Sequence, residues 1–259
     1  DLVNNPKILY VGVGGGMELL QFSYFSRQKG GVIGIDVVDE MLTASRNNFK
    51  IAAEQNDWFD PSFVELKKGD ALQLPVPDNS IDVAAQNCLF NIFKQEELKQ
   101  ALAEMYRVLK PHGRLVMSDP TCEQPMNDSL RDDERLRALC LSGAIPLQAY
   151  LQLLTEVGFG TLEVRARRPY RILDPAHYPT QEMIYIESVE VCAIKDPMPD
   201  DGPCIFTGKS AIYYGNEDYF DDHQGHVLLQ NQPLPVCDKT AAKLANLDRS
   251  DLFISEATF

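Results

Sequence analysis

Two groups of residues in this 259-residue chain are of types and spacings that could do chemistry. The first is Gly12-Val13-Gly14-Gly15-Gly16, which follows the apolar run Ile8-Leu9-Tyr10-Val11 and precedes Met17-Glu18-Leu19-Leu20, where apolar residues resume at helical spacing. Without side chains the backbone can turn sharply there and let a ligand approach the N-terminus of the following helix. Taken alone, the run is a weak signal, with a tight strand-to-helix connection that binds nothing as its lesser alternative. Asp36, closing the second apolar run Gly31-Val32-Ile33-Gly34-Ile35, is placed to accept hydrogen bonds from ribose hydroxyls. The second group is the cysteines: Cys88, Cys122, Cys140, Cys192, Cys204 and Cys237. Thiolates are soft ligands suited to a thiophilic ion, although a cysteine taken singly is more often a small buried residue.

The elements that must position these residues alternate in type. Apolar runs at 8–12, 31–36, 63–68, 81–86 and 114–118 predict strands. Helical spacing after Gly16, from 39 to 53, and from 95 to 109 predicts the helices between them, the last closed by Lys110-Pro111-His112-Gly113. Such alternation predicts an α/β fold with a mostly parallel sheet covered on both faces. Residues 148–157 add a helix, and 162–167 and 183–194 two late strands that suit an antiparallel edge. The segment Asp196-Pro197-Met198-Pro199-Asp200-Asp201-Gly202-Pro203 is the clearest linker, because its prolines and glycine block helix and ladder alike. It divides the chain into residues 1–196 and a small β-rich C-terminal unit, 197–259, with strands near 210–214, 226–229 and 235–237 and a helix near 240–247.

A formal charge of −14 opposes binding to a phosphate backbone, and the basic stretch from Arg165 to Arg171 is the solvated face of a strand, so nucleic acid is an unexpected partner. No stretch approaches the roughly 20 apolar residues of a membrane-spanning helix, and scattered cysteines do not make a disulfide scaffold. The expectation is a soluble, cytoplasmic monomer with reduced thiols. The first strand begins almost at once, so a cap of the kind nucleotide enzymes carry is expected to lie ahead of Asp1.

The glycine loop and Asp36 fit NAD as well as S-adenosylmethionine, and two further segments separate them. Gly69-Asp70-Ala71 resembles the loop that methyltransferases hold against the adenine, with Asp70 accepting from the exocyclic amine. Asn87-Cys88-Leu89 stands where the cofactor's amino-acid end or the acceptor would lie. The phrase Leu74-Pro75-Val76-Pro77-Asp78-Asn79-Ser80-Ile81-Asp82, followed by Arg107-Val108-Leu109-Lys110-Pro111-His112-Gly113, resembles the signature of class I S-adenosylmethionine methyltransferases. That resemblance implies a Rossmann-like domain in which Gly12, Gly14, Gly16, Asp36, Val37, Met41, Asp70, Ala71 and Asn87 bind S-adenosylmethionine. Tyr10 and Val13 depart from the pattern, standing where the family often has an acidic residue and a cysteine.

An oxygen or nitrogen acceptor calls for a base, and none stands out: His112 reads as structural, and His177, His223 and His226 as surface residues. The cysteines offer a different acceptor. Leu139-Cys140-Leu141-Ser142-Gly143-Ala144-Ile145 resembles the Cys-x-Gly-Gly-Ala segment of the arsenite methyltransferases, specifically those of arsenosugar-forming pathways, with Ser142 in place of a glycine. The stretch from Cys204 to Tyr213 and Pro235-Val236-Cys237 resemble two further motifs of that family. The resemblance implies that Cys140 and Cys204, from different units, hold trivalent arsenic for methylation, with a thiol reductant such as glutathione or thioredoxin as co-substrate. The family's cysteine set also includes residues upstream of the glycine loop. Cys122 and Cys192 read as core, Cys88 as packing, and Cys237 as either structure or a supporting thiol. Two other functions compete: a methyltransferase for an organic metabolite, and a non-catalytic thiol protein that binds metal, although the Cys-x-x-Cys pairs usual in zinc sites are missing.

Overall fold

The computed structural model describes residues 5–259. Strands and helices alternate as β1 (Ile8–Val11), α1 (Met17–Ser26), β2 (Val32–Asp36), α2 (Asp39–Gln55), β3 (Val64–Lys68), β4 (Ile81–Asn87), α3 (Gln95–Val108) and β5 (Leu109–Cys122). All four residues of β1 are buried, as an unbroken apolar run must be when helices cover both faces of its sheet. In α3, Leu98, Ala101, Leu102, Met105 and Val108 recur at three- and four-residue steps and are buried against the sheet. Full burial of a side chain such as Leu102 contributes about 2 kcal/mol.

The chain continues through α4 (Asp128–Arg131), α5 (Glu134–Ala138), the two-residue β6 (Ile145–Pro146), α6 (Leu147–Val157), β7 (Thr161–Leu173) and β8 (Ile184–Ile194). The sheet order is β3-β2-β1-β4-β5-β8-β7-β9, where β9 is Cys204–Phe206, and β6 pairs with β5. The first five strands run parallel, and β8 is antiparallel to β5 and to β7. The mostly parallel sheet with a late antiparallel edge is thus borne out.

Two local features depart from expectation. Lys110-Pro111-His112-Gly113 is not a turn ahead of a strand but a bulge inside β5: the register against β4 passes from Ile81↔Leu109 to Val83↔Arg114, with His112 at φ 63°. Beyond the proline-rich linker, β9 joins the large sheet, parallel to β7. After it, β10 (Ser210–Tyr213), β11 (Tyr219–Asp221), β12 (Val227–Leu229), β13 (Leu234–Pro235), α7 (Asp238–Ala245) and β14 (Leu252–Ile254) form a small unit. It comprises the sheet β13-β10-β14, the hairpin β11-β12, and its own core of Ala211, Tyr213, Leu228, Val236, Ala241 and Leu244.

The long signature is a clamp. Arg107 donates from one guanidinium nitrogen to Val76 O at 2.9 Å and Asp78 Oδ1 at 2.5 Å, and from another to Leu74 O at 3.0 Å and Glu104 Oε2 at 2.7 Å. The amides of Asn79 and Ser80 return to the carbonyls of Arg107 and Val108. The two halves of the signature hold each other, so it fixes the chain between β3 and β4. Among the described residues, no helix is long and apolar enough to cross a membrane.

Candidate active site

In a parallel sheet covered by helices, ligands bind outside the carboxyl ends of the strands. There the glycine loop leaves β1 with Gly12, Gly14 and Gly16 at φ 81°, 50° and 84°, the left-handed region that favours glycine. A Cβ at Gly16 would lie 2.8 Å from the Phe49 ring, whereas one at Gly14 would meet nothing within 4 Å. Ser45 donates to Gly14 O at 3.0 Å and Asn48 to Gly15 O at 2.8 Å, so α2 holds the loop from behind. No side chain caps α1, which leaves its first N–H groups pointing toward the loop.

The other predicted nucleotide residues line the same edge. Asp36 ends β2, half-buried, and accepts the Val38 N–H at 2.9 Å through one carboxylate oxygen. Val37 and Met41 are exposed although apolar. Asp70, after β3, accepts the Leu72 N–H at 2.9 Å, Ala71 points into the core, and Asn87 is exposed at the end of β4. Tyr10 and Val13, the departures from the pattern, are both buried.

Beside this edge two cysteines meet. Cys88 follows β4, Cys140 follows α5, and the Cys140 thiol donates to the Cys88 carbonyl at 2.6 Å. Their side chains also hydrogen-bond to each other, which makes the two protons unequal. The bond from Cys88 lowers Cys140 below the ordinary thiol range, against burial and the negative Asp119, so Cys140 ionises first. The same bond, with burial and the negative Asp119, holds Cys88 far above that range. Both residues have φ 58°, a conformation that costs a non-glycine residue on the order of 1 kcal/mol. Two strained thiols facing each other are a ready chelate for a soft ion.

The approach of the two loops depends on Gly143. A Cβ there would stand 1.7 Å from Asn91 O, so the backbones touch directly. Asn91, itself buried, donates to Pro120 O at 2.8 Å and to Cys140 O at 3.4 Å, joining β5 to both cysteine loops.

Residues 9–117 match the methyltransferase domain family. The fold is that of the class I methyltransferases. Over 175 residues the chain is 30% identical to an arsenite methyltransferase of Aquipseudomonas alcaligenes, covering 68% of this chain and 50% of that protein. Over 157 residues it is 29% identical to an arsenite methyltransferase of Halobacterium salinarum, covering 61% and 38% respectively. The chain therefore spans half or less of the length of these curated relatives. The crystal structure of an arsenic(III) S-adenosylmethionine methyltransferase from Chlamydomonas reinhardtii superposes with a TM-score of 0.67 over 99% of this chain and 88% of that one, at 21% identity, which shows a shared fold. The resemblance to arsenite methyltransferases that the motifs carry is borne out by these relatives.

Cys140 is paired with Cys88, and the structure does not bring Cys140 and Cys204 together. Register places Cys204 level with Thr161, Ile194, Arg114 and Val83, toward the opposite end of the strands from Asn87. Between β4 and β9 lie four strand spacings, about 19 Å. No single ion spans that separation. Cys88, read from the sequence as packing, is partly buried and its thiol faces Cys140. The signal was its place directly after β4, in the segment expected to meet the cofactor's amino-acid end or the acceptor. Cys122 and Cys192 are buried as expected. The histidines pair with carboxylates, His112 with Asp196 at 2.7 Å, His177 with Asp174 at 2.9 Å and His226 with Asp222 at 2.7 Å, and His223 is exposed.

A buried carboxylate that the sequence did not single out lies under the thiols. Asp119 on β5 accepts from Tyr150 Oη at 2.6 Å and from the Gln86 amide, and its Oδ1 has no partner. Gln86 accepts the Leu89 N–H at 2.8 Å, so the network braces the Cys88 turn. Burial raises the Asp119 pKa to about 6, against the hydrogen bonds from Tyr150 and Gln86. With its folded pKa above the unfolded value, Asp119 holds its proton longer in the folded state, and the stability this gives is lost as pH rises from about 4 through 6. Relative to Asp119→Asn, the wild-type chain is expected to lose about 3 kcal/mol between pH 4 and 7. Urea denaturation of both at several pH values measures this; parallel pH profiles would exclude an ionising Asp119.

Proposed function

We propose that the chain is the catalytic part of an arsenite methyltransferase, which binds S-adenosylmethionine at the glycine loop and trivalent arsenic between Cys88 and Cys140. The observation that carries this reading is the thiol pair, drawn from positions 52 residues apart and held at the sheet edge that bears the glycine loop. The arsenite methyltransferases among its relatives support it.

The nucleotide fits the residues present. The open face at Gly14, the uncapped start of α1, the Asp36 carboxylate and the exposed apolar Val37 and Met41 offer, in order, a close backbone approach, N–H donors, a ribose acceptor and flanks for a base. Asp70 and Asn87 face the same edge, and Ala71, whose side chain is buried, contributes through its backbone. When bound, S-adenosylmethionine supplies an electrophilic methyl group on a sulfonium sulfur.

The protein's part is positioning. Cys140, the thiol that ionises first, attacks arsenite, and Cys88 then closes the chelate. Each As–S bond replaces an As–O bond, each departing hydroxide leaves as water with a thiol proton, and arsenic stays trivalent. The arsenic lone pair, held toward the nucleotide edge, carries no proton, so methyl transfer needs no general base, and the two fixed ligands supply proximity. Methylation oxidises arsenic formally to the pentavalent state, and a thiol reductant such as glutathione or thioredoxin returns it. Reduced thiols suit a cytoplasmic setting. We divide the chain at residue 196, with 197–259 as a second unit that lends its first strand, β9, to the large sheet.

Incubation with arsenite, S-adenosylmethionine and excess reductant is expected to yield methylated arsenic, separated by chromatography with arsenic-specific detection. Cys140→Ser is expected to yield none while still binding S-adenosylmethionine. A wild-type chain that binds the nucleotide but leaves arsenite unmethylated would point instead to an organic acceptor.

A further inference from the structure

The six cysteines resolve into two pairs and two single thiols. Cys122 donates to Ala144 O at 3.3 Å and burial pushes it up to about 11; burial also raises Cys192, and no other cysteine acts on either. The remaining two, Cys204 and Cys237, face each other in the C-terminal unit. Cys204 opens β9, Cys237 immediately precedes α7, and Thr207 Oγ1 donates to Asp238 Oδ1 at 2.7 Å, pinning the strand to the helix. The two side chains lie within hydrogen-bonding reach of each other. Lys239, in the first turn of α7, pairs with Asp201 and donates to Gly202 O at 2.7 Å, which brings its ammonium group beside Cys204 as well. Thr240 Oγ1 lies 3.2 Å from Cys237 Sγ and fixes its orientation.

A dithiol with an adjacent cation matches a specific class of ligand. Burial and Cys237 hold the Cys204 thiol up, and the neighbouring Lys239 acts against them, toward the thiolate a ligand needs. Among the described residues, no cluster of three or more His, Cys, Asp or Glu could complete a site for a divalent metal, which separates the pair from a four-ligand zinc site. Two thiols suffice for a trivalent metalloid, whose third position keeps a hydroxyl.

We propose that Cys204 and Cys237 form a second site, which holds trivalent arsenic as a dithiolate apart from Cys88 and Cys140. Two As–O bonds of arsenite are exchanged for two As–S bonds, two waters leave with the thiol protons, and no oxidation state changes. Four strand spacings, about 19 Å, separate this site from the methyl-transfer edge, so arsenic held here is sequestered rather than methylated in place. The choice of arsenic as ligand rests on the reading in the preceding section; the pairing of the thiols does not.

The test is arsenic stoichiometry on the reduced full chain, loaded with arsenite, freed of unbound arsenic by gel filtration and weighed by native mass spectrometry. Two arsenic atoms per chain are expected for the wild type, one for Cys204→Ser/Cys237→Ser, one for Cys88→Ser/Cys140→Ser, and none when all four are replaced. Equal loading of the wild type and Cys204→Ser/Cys237→Ser would overturn the proposal. Equal loading of the wild type and Cys88→Ser/Cys140→Ser would overturn the catalytic reading instead. Because Cys237 is buried, the half-buried Cys204→Ala is a second variant, and proteolysis of the loaded wild type supplies a readout free of mutation. Peptides containing Cys204 and Cys237 should emerge bridged by one arsenic; their release unbridged would overturn the proposal.

Discussion

Cys88→Ser is expected to abolish methyl transfer to arsenite as completely as Cys140→Ser, whereas Cys204→Ser should leave transfer nearly intact. Arsenic held by one thiolate is bound by a single exchangeable bond, and the second bond, once both thiols belong to one site, forms within the complex. Loss of that second attachment is expected to weaken binding at the catalytic edge about 100- to 10,000-fold. A serine hydroxyl fills the space but is a hard, weakly acidic oxygen that does not replace a soft thiolate. S-adenosylmethionine binding serves as the folding control, because the glycine loop is held by Ser45 and Asn48 from α2, independent of the Cys88 turn. Transfer at wild-type rates by Cys88→Ser, or a large loss in Cys204→Ser alone, would show that the facing thiols of Cys88 and Cys140 are not the acceptor site.

Gly143→Ala carries the second large effect, and it acts through backbone. Gly143 does not have a positive φ, so alanine meets no conformational penalty there. The obstacle is steric: the added Cβ would lie 1.7 Å from Asn91 O, 2.6 Å from Asn91 C and 3.0 Å from Asn91 Cα. None of these atoms can rotate away, so the Cys140 loop must withdraw from the Cys88 turn. Overpacking of this kind costs about 1–3 kcal/mol, and the separation it forces opens the thiol pair. The expected result is a lower thermal midpoint together with arsenite methylation reduced at least about 10-fold, while the affinity for S-adenosylmethionine is kept. Unchanged stability and transfer would mean that the loop contact does not hold the thiols together.

Whatever depends on contiguous residues is legible in the sequence. The strand, glycine loop and helix from Ile8 to Phe22, the acidic end of β2 and the apolar runs of the parallel strands are local patterns, because a doubly covered strand is apolar throughout and a loop at positive φ favours glycine. The resemblance of residues 74–82 and 107–113 to a methyltransferase signature was legible for the same reason, although only the structure shows that Arg107 ties the two halves together. Tertiary structure decided which thiols meet. Cys88 pairs with Cys140 because Asn91 and Gly143 let two distant loops touch, and Cys204 pairs with Cys237 because β9 lies against the start of α7. Motif context marked Cys140 and Cys204 alike, but spacing along a chain carries no information on which loops cross. That partnership is set by side-chain volume at the crossing, where the absence of one Cβ at Gly143 places two sulfurs side by side.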